Sequence, residues 1–280
     1  MKPASFEYHA PDTVAEACAL LAEYGDEAKP LAGGQSLVPM LALRLARFEH
    51  LVDLNRISQL AGVDREDGTL VVRGATRQRV LERNTQVAET APLLARATPL
   101  IGHFQIRNRG TVGGSLAHAD PASEYPAVAV ALGAELELAS AAGTRRISAE
   151  EFFLGTWMTA ARDDELLVAA RFPIWDSPCG FAIEEVARRH GDFALAGVAC
   201  ALASRRAGLA LFGVGSTPVR VAAADAAMLA GAPGDEVAAI VADAIDPPAD
   251  VHASSATRVR ITRHLVARAV TRAKEQHAAG

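Results

Sequence analysis

The sequence predicts an α+β fold, and three observations carry that prediction. Short β-branched or alternating runs, such as Thr69-Leu70-Val71-Val72-Arg73 and Ala134-Glu135-Leu136-Glu137-Leu138, read as strands. Apolar residues at helical spacing behind capping boxes mark helices. In the last third of the chain, strand-like runs precede alanine-rich helices, the segregated order of an α+β layer packing.

In chain order, Thr13-Val14-Ala15-Glu16 forms a capping box, in which hydroxyl and carboxylate satisfy the free amides of a helix start. Val14, Ala17, Cys18 and Leu21 then recur at helical spacing, and Gly25 supplies the stop. Cys18 lies on the apolar face and reads as a core residue. A second helix is expected over 36–45 and a short strand over 50–54. The stretch 76–100 has a helical pattern broken by Pro92 and Pro99. Ser148-Ala149-Glu150-Glu151 is another capping box, in front of Phe152 and Phe153, and 166–172 reads as a strand entering Pro173. Asp176-Ser177-Pro178 is a polar, proline-containing break where a domain boundary is expected. Beyond it, 181–186, 197–203 and 209–214 read as three antiparallel strands. Helices are expected around 222–229, 236–244 and 262–276.

Composition excludes several classes. A formal net charge of −5 does not suit an electrostatic nucleic-acid binder. No apolar run approaches the roughly 20 residues that cross a bilayer. The opening residues, Met1 to Tyr8, carry no apolar signal segment, so a cytoplasmic protein is expected. Only three cysteines occur, Cys18, Cys179 and Cys200, and no two form a Cys-x-x-Cys pair. A disulfide framework, a structural zinc and an iron–sulfur cluster are therefore not expected in this chain.

Two glycine pairs carry the chemistry. The first, Ala32-Gly33-Gly34-Gln35-Ser36-Leu37, lies between a short apolar run and a helix. Paired glycines let the backbone take positive φ and bring its amides close to a ligand, which suits a phosphate or pyrophosphate. The spacing is neither that of a Rossmann fingerprint nor that of a Walker loop, and a lone Gly-Gly is more often an ordinary turn. The second pair lies in Ile106-Arg107-Asn108-Arg109-Gly110-Thr111-Val112-Gly113-Gly114-Ser115-Leu116, which again offers a nest of amides with hydroxyls at its rim. Asp120 and Glu124 follow, where carboxylates could accept from sugar or ribityl hydroxyls. Two such loops in one chain point to a dinucleotide. His118 and Asp120 without a third ligand make a poor metal site. Arg107 and Arg109 suit a phosphate, a partner's acidic surface or open solvent alike.

These segments resemble the signatures of the medium, FAD-binding subunits of molybdenum hydroxylases, the group that includes carbon monoxide dehydrogenase and bacterial xanthine dehydrogenase. The first loop with Leu51-Val52-Asp53-Leu54 is similar to the first signature, and the second loop with Ala117-His118-Ala119-Asp120-Pro121 to the second. Arg188-Arg189-His190-Gly191-Asp192-Phe193-Ala194, Gly213-Val214-Gly215-Ser216-Thr217-Pro218 and Asp250-Val251-His252-Ala253-Ser254 extend the likeness over essentially the whole chain.

The resemblance implies a PCMH-type FAD-binding region, 1–177, made of two small α+β subdomains at about 1–56 and 57–177. A C-terminal α+β domain, 178–280, with a three-stranded antiparallel sheet and helices follows. It implies that Ala32, Gly33, Gly34, Gln35, Ser36 and Leu37, with Thr111, Val112, Gly113, Gly114 and Ser115, embrace the FAD pyrophosphate and its neighbours. Asp120 and Glu124 match positions near the ribityl or phosphate region, Ile101 and Leu166 match apolar flavin contacts, and Asp192 lies in a segment that approaches the isoalloxazine. No catalytic acid or base and no metal ligand is assigned to this chain. The resemblance further implies a small partner with two 2Fe–2S clusters and a large partner with a molybdenum–pterin centre, as a dimer of heterotrimers. Where many relatives carry a Lys before the double arginine, this chain has Glu184-Glu185. A stand-alone FAD oxidase and a non-catalytic assembly module are the competing readings.

Overall fold

The computed structural model describes residues 2–176 and 178–280; Met1 and Ser177, the latter within the expected boundary Asp176-Ser177-Pro178, lie outside the described residues. The first unit is a parallel sheet of three short strands, with His50–Asp53 between Glu7–His9 and Ala28–Leu31. Helix Val14–Tyr24 covers it. Its capping box is complete, since Thr13 and Glu16 satisfy each other's backbone amides, and Gly25 ends it at φ +52°. Ala17, Cys18 and Leu21 are buried with Val52 and Leu54, as helical spacing expects.

The second unit is a five-stranded antiparallel sheet. Its central strand, Leu166–Pro173, is flanked by the hairpins Val63–Glu66/Thr69–Arg73 and Glu135–Ser140/Gly143–Ser148. The helical stretch after Thr76 is three short helices, Gln78–Arg83, Thr85–Thr90 and Pro92–Ala97, rather than one broken only at prolines. Asn84 caps the second of them, accepting from the Val87 amide, and Pro92 starts the third, where its missing N–H costs nothing.

The C-terminal sheet contains the three expected strands, Cys179–Ala187, Ala194–Ala203 and Arg206–Phe212. A two-residue strand, Val219–Arg220, adds a fourth at the edge, too short to leave a pattern in the sequence. Helices Ala222–Leu229, Gly234–Ala244 and Ser255–Ala279 cover one face. The opposite face packs on helix Glu124–Leu132, which lies between this sheet and the main core of the five-stranded unit. Every residue of that helix is buried, so it has no polar face and no readable periodicity.

Strand alternation sorts the C-terminal residues between the two cores. Phe181 and Ile183 turn toward the first core, whereas Ala182 and Val186 turn toward the C-terminal helices. Glu184 shares the second face, where it pairs with Arg272 and, at 3.3 Å, with Arg268 of the last helix. Glu185 points the other way, toward the junction with the N-terminal units.

Candidate functional site

The two glycine loops meet. Strand Ala28–Leu31 delivers the first loop directly, and the second begins where helix Phe104–Arg109 ends at Gly110. A Cβ on Gly33 would lie 2.7 Å from Gly110 Cα, and one on Gly114 would lie 3.4 Å from Ala32 Cβ. At Gly33 only glycine permits this approach of backbone to backbone. Gly34 needs glycine for another reason, its φ of +73°.

Two residues that the sequence did not single out clip the loops together. The Asn55 amide donates to Ala32 O at 3.0 Å and to Asp53. Arg77 donates through one Nη to Asn55 Oδ1 and through the other to Arg109 O. Asn55 directly follows Leu51-Val52-Asp53-Leu54, so its place beside that motif was the one available signal. Arg77 carried none.

Ser36 heads helix Leu37–Ala42 without using its hydroxyl as a cap. Among the described residues, the amides of Gly33, Gly34, Gln35 and Ser36 donate to no backbone carbonyl. Four successive free amides beside a glycine cradle fit an anionic pyrophosphate. The second loop differs from the expected nest. Thr111 caps a short helix, Val112–His118, by accepting from the Gly114 amide at 3.0 Å, and Gly113 and Gly114 form its first turn. Gly113 is buried against Gly74, and its amide donates to Gly74 O at 2.9 Å. Val112 is buried in the core, so its side chain is not part of the loop surface, while Ser115 remains partly open.

Beyond this helix the chain turns at Ala119, φ +51°. Asp120 accepts from the Ala122 amide at 2.9 Å and from Trp157 Nε1 at 3.3 Å, and the Trp157 ring stacks over His118. His118 and Asp120 are thus engaged with a hairpin tip rather than with each other. Pro121 O accepts from the Gly213 amide at 2.8 Å, which ties the Gly213–Pro218 motif of the C-terminal unit to this segment. Glu124, only 9% exposed, stands at the head of the buried helix. Burial pushes its carboxyl up to about 8, and nearby Glu185 and Asp120 push the same way. Burial also raises Glu185 to about 7, and its Oε2 is buried without a hydrogen-bond partner. Glu185 therefore places a second acid near Glu124.

On another side, Gly191, at φ +84°, brings the 188–193 turn against Gly102 and His103, leaving no room for a Cβ. Ile101 is partly buried beside the main core, and Asp192 lies in the overlying turn. A hydrogen bond from Arg189 Nε at 3.1 Å holds the Asp192 carboxyl below its ordinary range. Leu166 is not brought to this surface. It is 3% exposed in the core between the parallel sheet and the larger sheet. Arg107 is not free for a phosphate either, because it is buried, paired with Glu82 at 3.1 Å and bonded to Ile101 O and Gly102 O. Arg109 is exposed. The Asp250–Ser254 motif is structural. Asp250 takes the amides of His252 and Ala253, which hold it down at about 2, and pairs with buried Arg258, while Ser254 caps the last helix.

A mixed α+β chain with two glycine loops closed on each other and a run of free amides beside them suits the class of nucleotide-cofactor-binding proteins. Family comparison makes this specific. Residues 4–175 match the FAD binding domain in molybdopterin dehydrogenase, and residues 181–273 match the CO dehydrogenase flavoprotein C-terminal domain. The chain belongs to the FAD-binding medium subunits of the molybdenum hydroxylases, which are oxidoreductases. It is 39% identical to the carbon monoxide dehydrogenase medium chain of Hydrogenophaga pseudoflava, with 98% of each chain covered. It is 38% identical to the 6-hydroxypseudooxynicotine dehydrogenase complex subunit alpha of Paenarthrobacter nicotinovorans, covering 98% of this chain and 96% of that one. A solved structure of carbon monoxide dehydrogenase from Hydrogenophaga pseudoflava that lacks the Mo-pyranopterin moiety superposes with a TM-score of 0.95 at 38% identity. That match covers 99% of this chain and 100% of the other. Among the described residues, no helix is long and apolar enough to cross a membrane.

Proposed function

We propose that this chain is the flavin stage of a three-component hydroxylase. Electrons leave a substrate at the molybdenum–pterin centre of a large partner, pass through two 2Fe–2S clusters of a small partner, and leave from this chain to an external acceptor. The bound isoalloxazine supplies the redox chemistry; the protein supplies binding, orientation and electrostatics. In this reading Gly33, Gly34, Gln35 and Ser36 hold the pyrophosphate through their amides. Thr111, Gly114 and Ser115 close the other side, and Ala32, Leu37, Val112 and Gly113 shape the loops. Ile101 and Asp192 flank the flavin end, and Asp120 and Glu124 face the hydroxyl-bearing middle. Residues 1–177 form the cofactor-binding part and 178–280 the lid that completes it. The assembly is a dimer of heterotrimers, and the three free cysteines suit the reducing cytoplasm.

The carrying observation is the contact between the two loops, with its run of free amides. Its test is Gly114→Val. The added side chain would push aside the Thr111 hydroxyl, 2.7 Å from the Cβ position, and fill the gap to Ala32. Purified wild type should show flavin absorbance, and the variant should be folded but flavin-free. Wild-type FAD content in the variant would remove the loops from the pyrophosphate. Co-purification of wild type with iron–sulfur and molybdenum partners separates the subunit reading from that of a self-contained oxidase.

A further inference from the structure

The scarcity of cysteine excludes thiolate metal sites, but not one built from imidazole and carboxylate. At the starting ends of the parallel strands, Glu7 pairs in register with His50, and His9 lies two residues beyond Glu7. Strand alternation therefore puts Glu7, His9 and His50 on one face of the sheet, while Tyr8 turns away to bond Asp53. His9 Nε2 and His50 Nδ1 face each other at 3.1 Å, and Glu7 Oε2 lies 3.7 Å from the same His50 nitrogen. One ligand atom from each of the three residues falls within 4.8 Å of the others.

A tetrahedral zinc with bonds of about 2.0–2.1 Å holds its nitrogen ligands roughly 3.3–3.4 Å apart. The nitrogen separation is thus within a few tenths of an ångström of that value. Because the two nitrogens point at each other, with ring centroids 5.3 Å apart, each ring turns by roughly 35° to aim its lone pair at a shared ion. The ring of Tyr24 stacks on His50 at 3.8 Å and 7°, and on His9 at 5.3 Å, which keeps the tilt of both imidazoles while leaving each free to turn in its own plane. Glu27 and Glu49 gather around the same His50, adding negative charge that favours a cation. Glu7, with a side chain 74% exposed, leaves the site open to a metal and to a completing water.

We propose that His9, His50 and Glu7 bind a divalent transition-metal ion of the zinc class, which pins the edge strand Glu7–His9 to the centre of the sheet. Two imidazoles and a carboxylate suit zinc and leave magnesium, which prefers an all-oxygen shell, unbound. The site lies at the opposite end of the sheet from the first glycine loop, so its role is structural.

The test uses the tag-free, full-length, FAD-loaded chain, stripped with a chelator and titrated with zinc chloride by calorimetry, with metal content read after dialysis. One zinc per chain is expected, with a rise in melting temperature that magnesium does not reproduce. His9→Ala and Glu7→Gln should weaken binding by at least about tenfold without changing FAD absorbance. His264→Ala, an exposed histidine on the last helix, should bind like wild type. His50→Ala also removes the stack on Tyr24, so His9→Ala is the deciding variant. Zinc that is not retained, or that binds His9→Ala as tightly as wild type, would show that the two rings form a hydrogen-bonded pair and nothing more.

Discussion

At Gly34 the backbone turns through φ +73°, while Gly113 sits in a helical turn and is glycine because Gly74 lies where its Cβ would be. The first loop is thus shaped by its own dihedrals and keeps its amides free. The second is shaped by what packs against it and spends its amides on Gly74 and on its own cap. Gly-Gly in sequence therefore covers two physical demands, conformational freedom in one loop and close approach in the other. The continuations differ as well, since only the second leads into a buried carboxyl, Glu124.

The largest effect should appear as a pH dependence. Glu124 is raised to about 8 and Glu185 to about 7 from an ordinary value of 4.5. Between about pH 4.5 and 8 the unfolded chain gives up protons that the folded chain retains, so stability falls as pH rises through that window and levels off above it. Across it the FAD-free chain should lose several kcal/mol, and Glu124→Gln should flatten most of the slope. An equal slope in the variant would move the proton linkage elsewhere.

A smaller effect should come from Gly113→Ala. Its Cβ would lie 2.6 Å from Gly74 O and 2.7 Å from Gly74 Cα, both backbone atoms in a closed core. Urea unfolding should show a loss of about 3 kcal/mol, at the upper end of overpacking costs. A loss well below 1 kcal/mol would mean that the second loop yields as readily as the first.

Gly34→Ala should cost least, about 1 kcal/mol, from holding a Cβ at positive φ. Its neighbour at 3.1 Å is a Val38 methyl, which can give way. Gly34→Asn should cost less still, because asparagine tolerates this region. If Gly34→Ala destabilised as much as Gly113→Ala, the contrast between the loops would collapse.

Features with local causes were legible. Thr13 and Glu16 close their box in eleven residues of helix, and the 222–229 helix begins and ends where its pattern does. Helix Glu124–Leu132 was not legible, because a helix buried on every side loses the polar face from which periodicity is read. The 106–116 segment reads as a loop because glycines outweigh helix propensity locally, yet capping by Thr111 and packing on Gly74 make 112–118 helical. Arg107 looked available for a ligand because nothing in its neighbourhood announces Glu82, twenty-five residues earlier.

The sequence by itself determined the α+β class, the two glycine segments and, through the order of its motifs, the family. The class and the segments rest on composition, local propensity and short spacings, and the family on the resemblance of the motifs, all of which the chain carries before it folds. Tertiary structure alone decided that the loops meet through Gly33 and Gly110, and that Asn55 and Arg77 clip them. It also decided that Glu184 turns to the arginines of the last helix while Glu185 turns to Glu124. Each of these depends on which face of a strand is covered and by what. Alternation fixes that two neighbours point apart, but only the packed layers say which of them meets an arginine and which meets another acid.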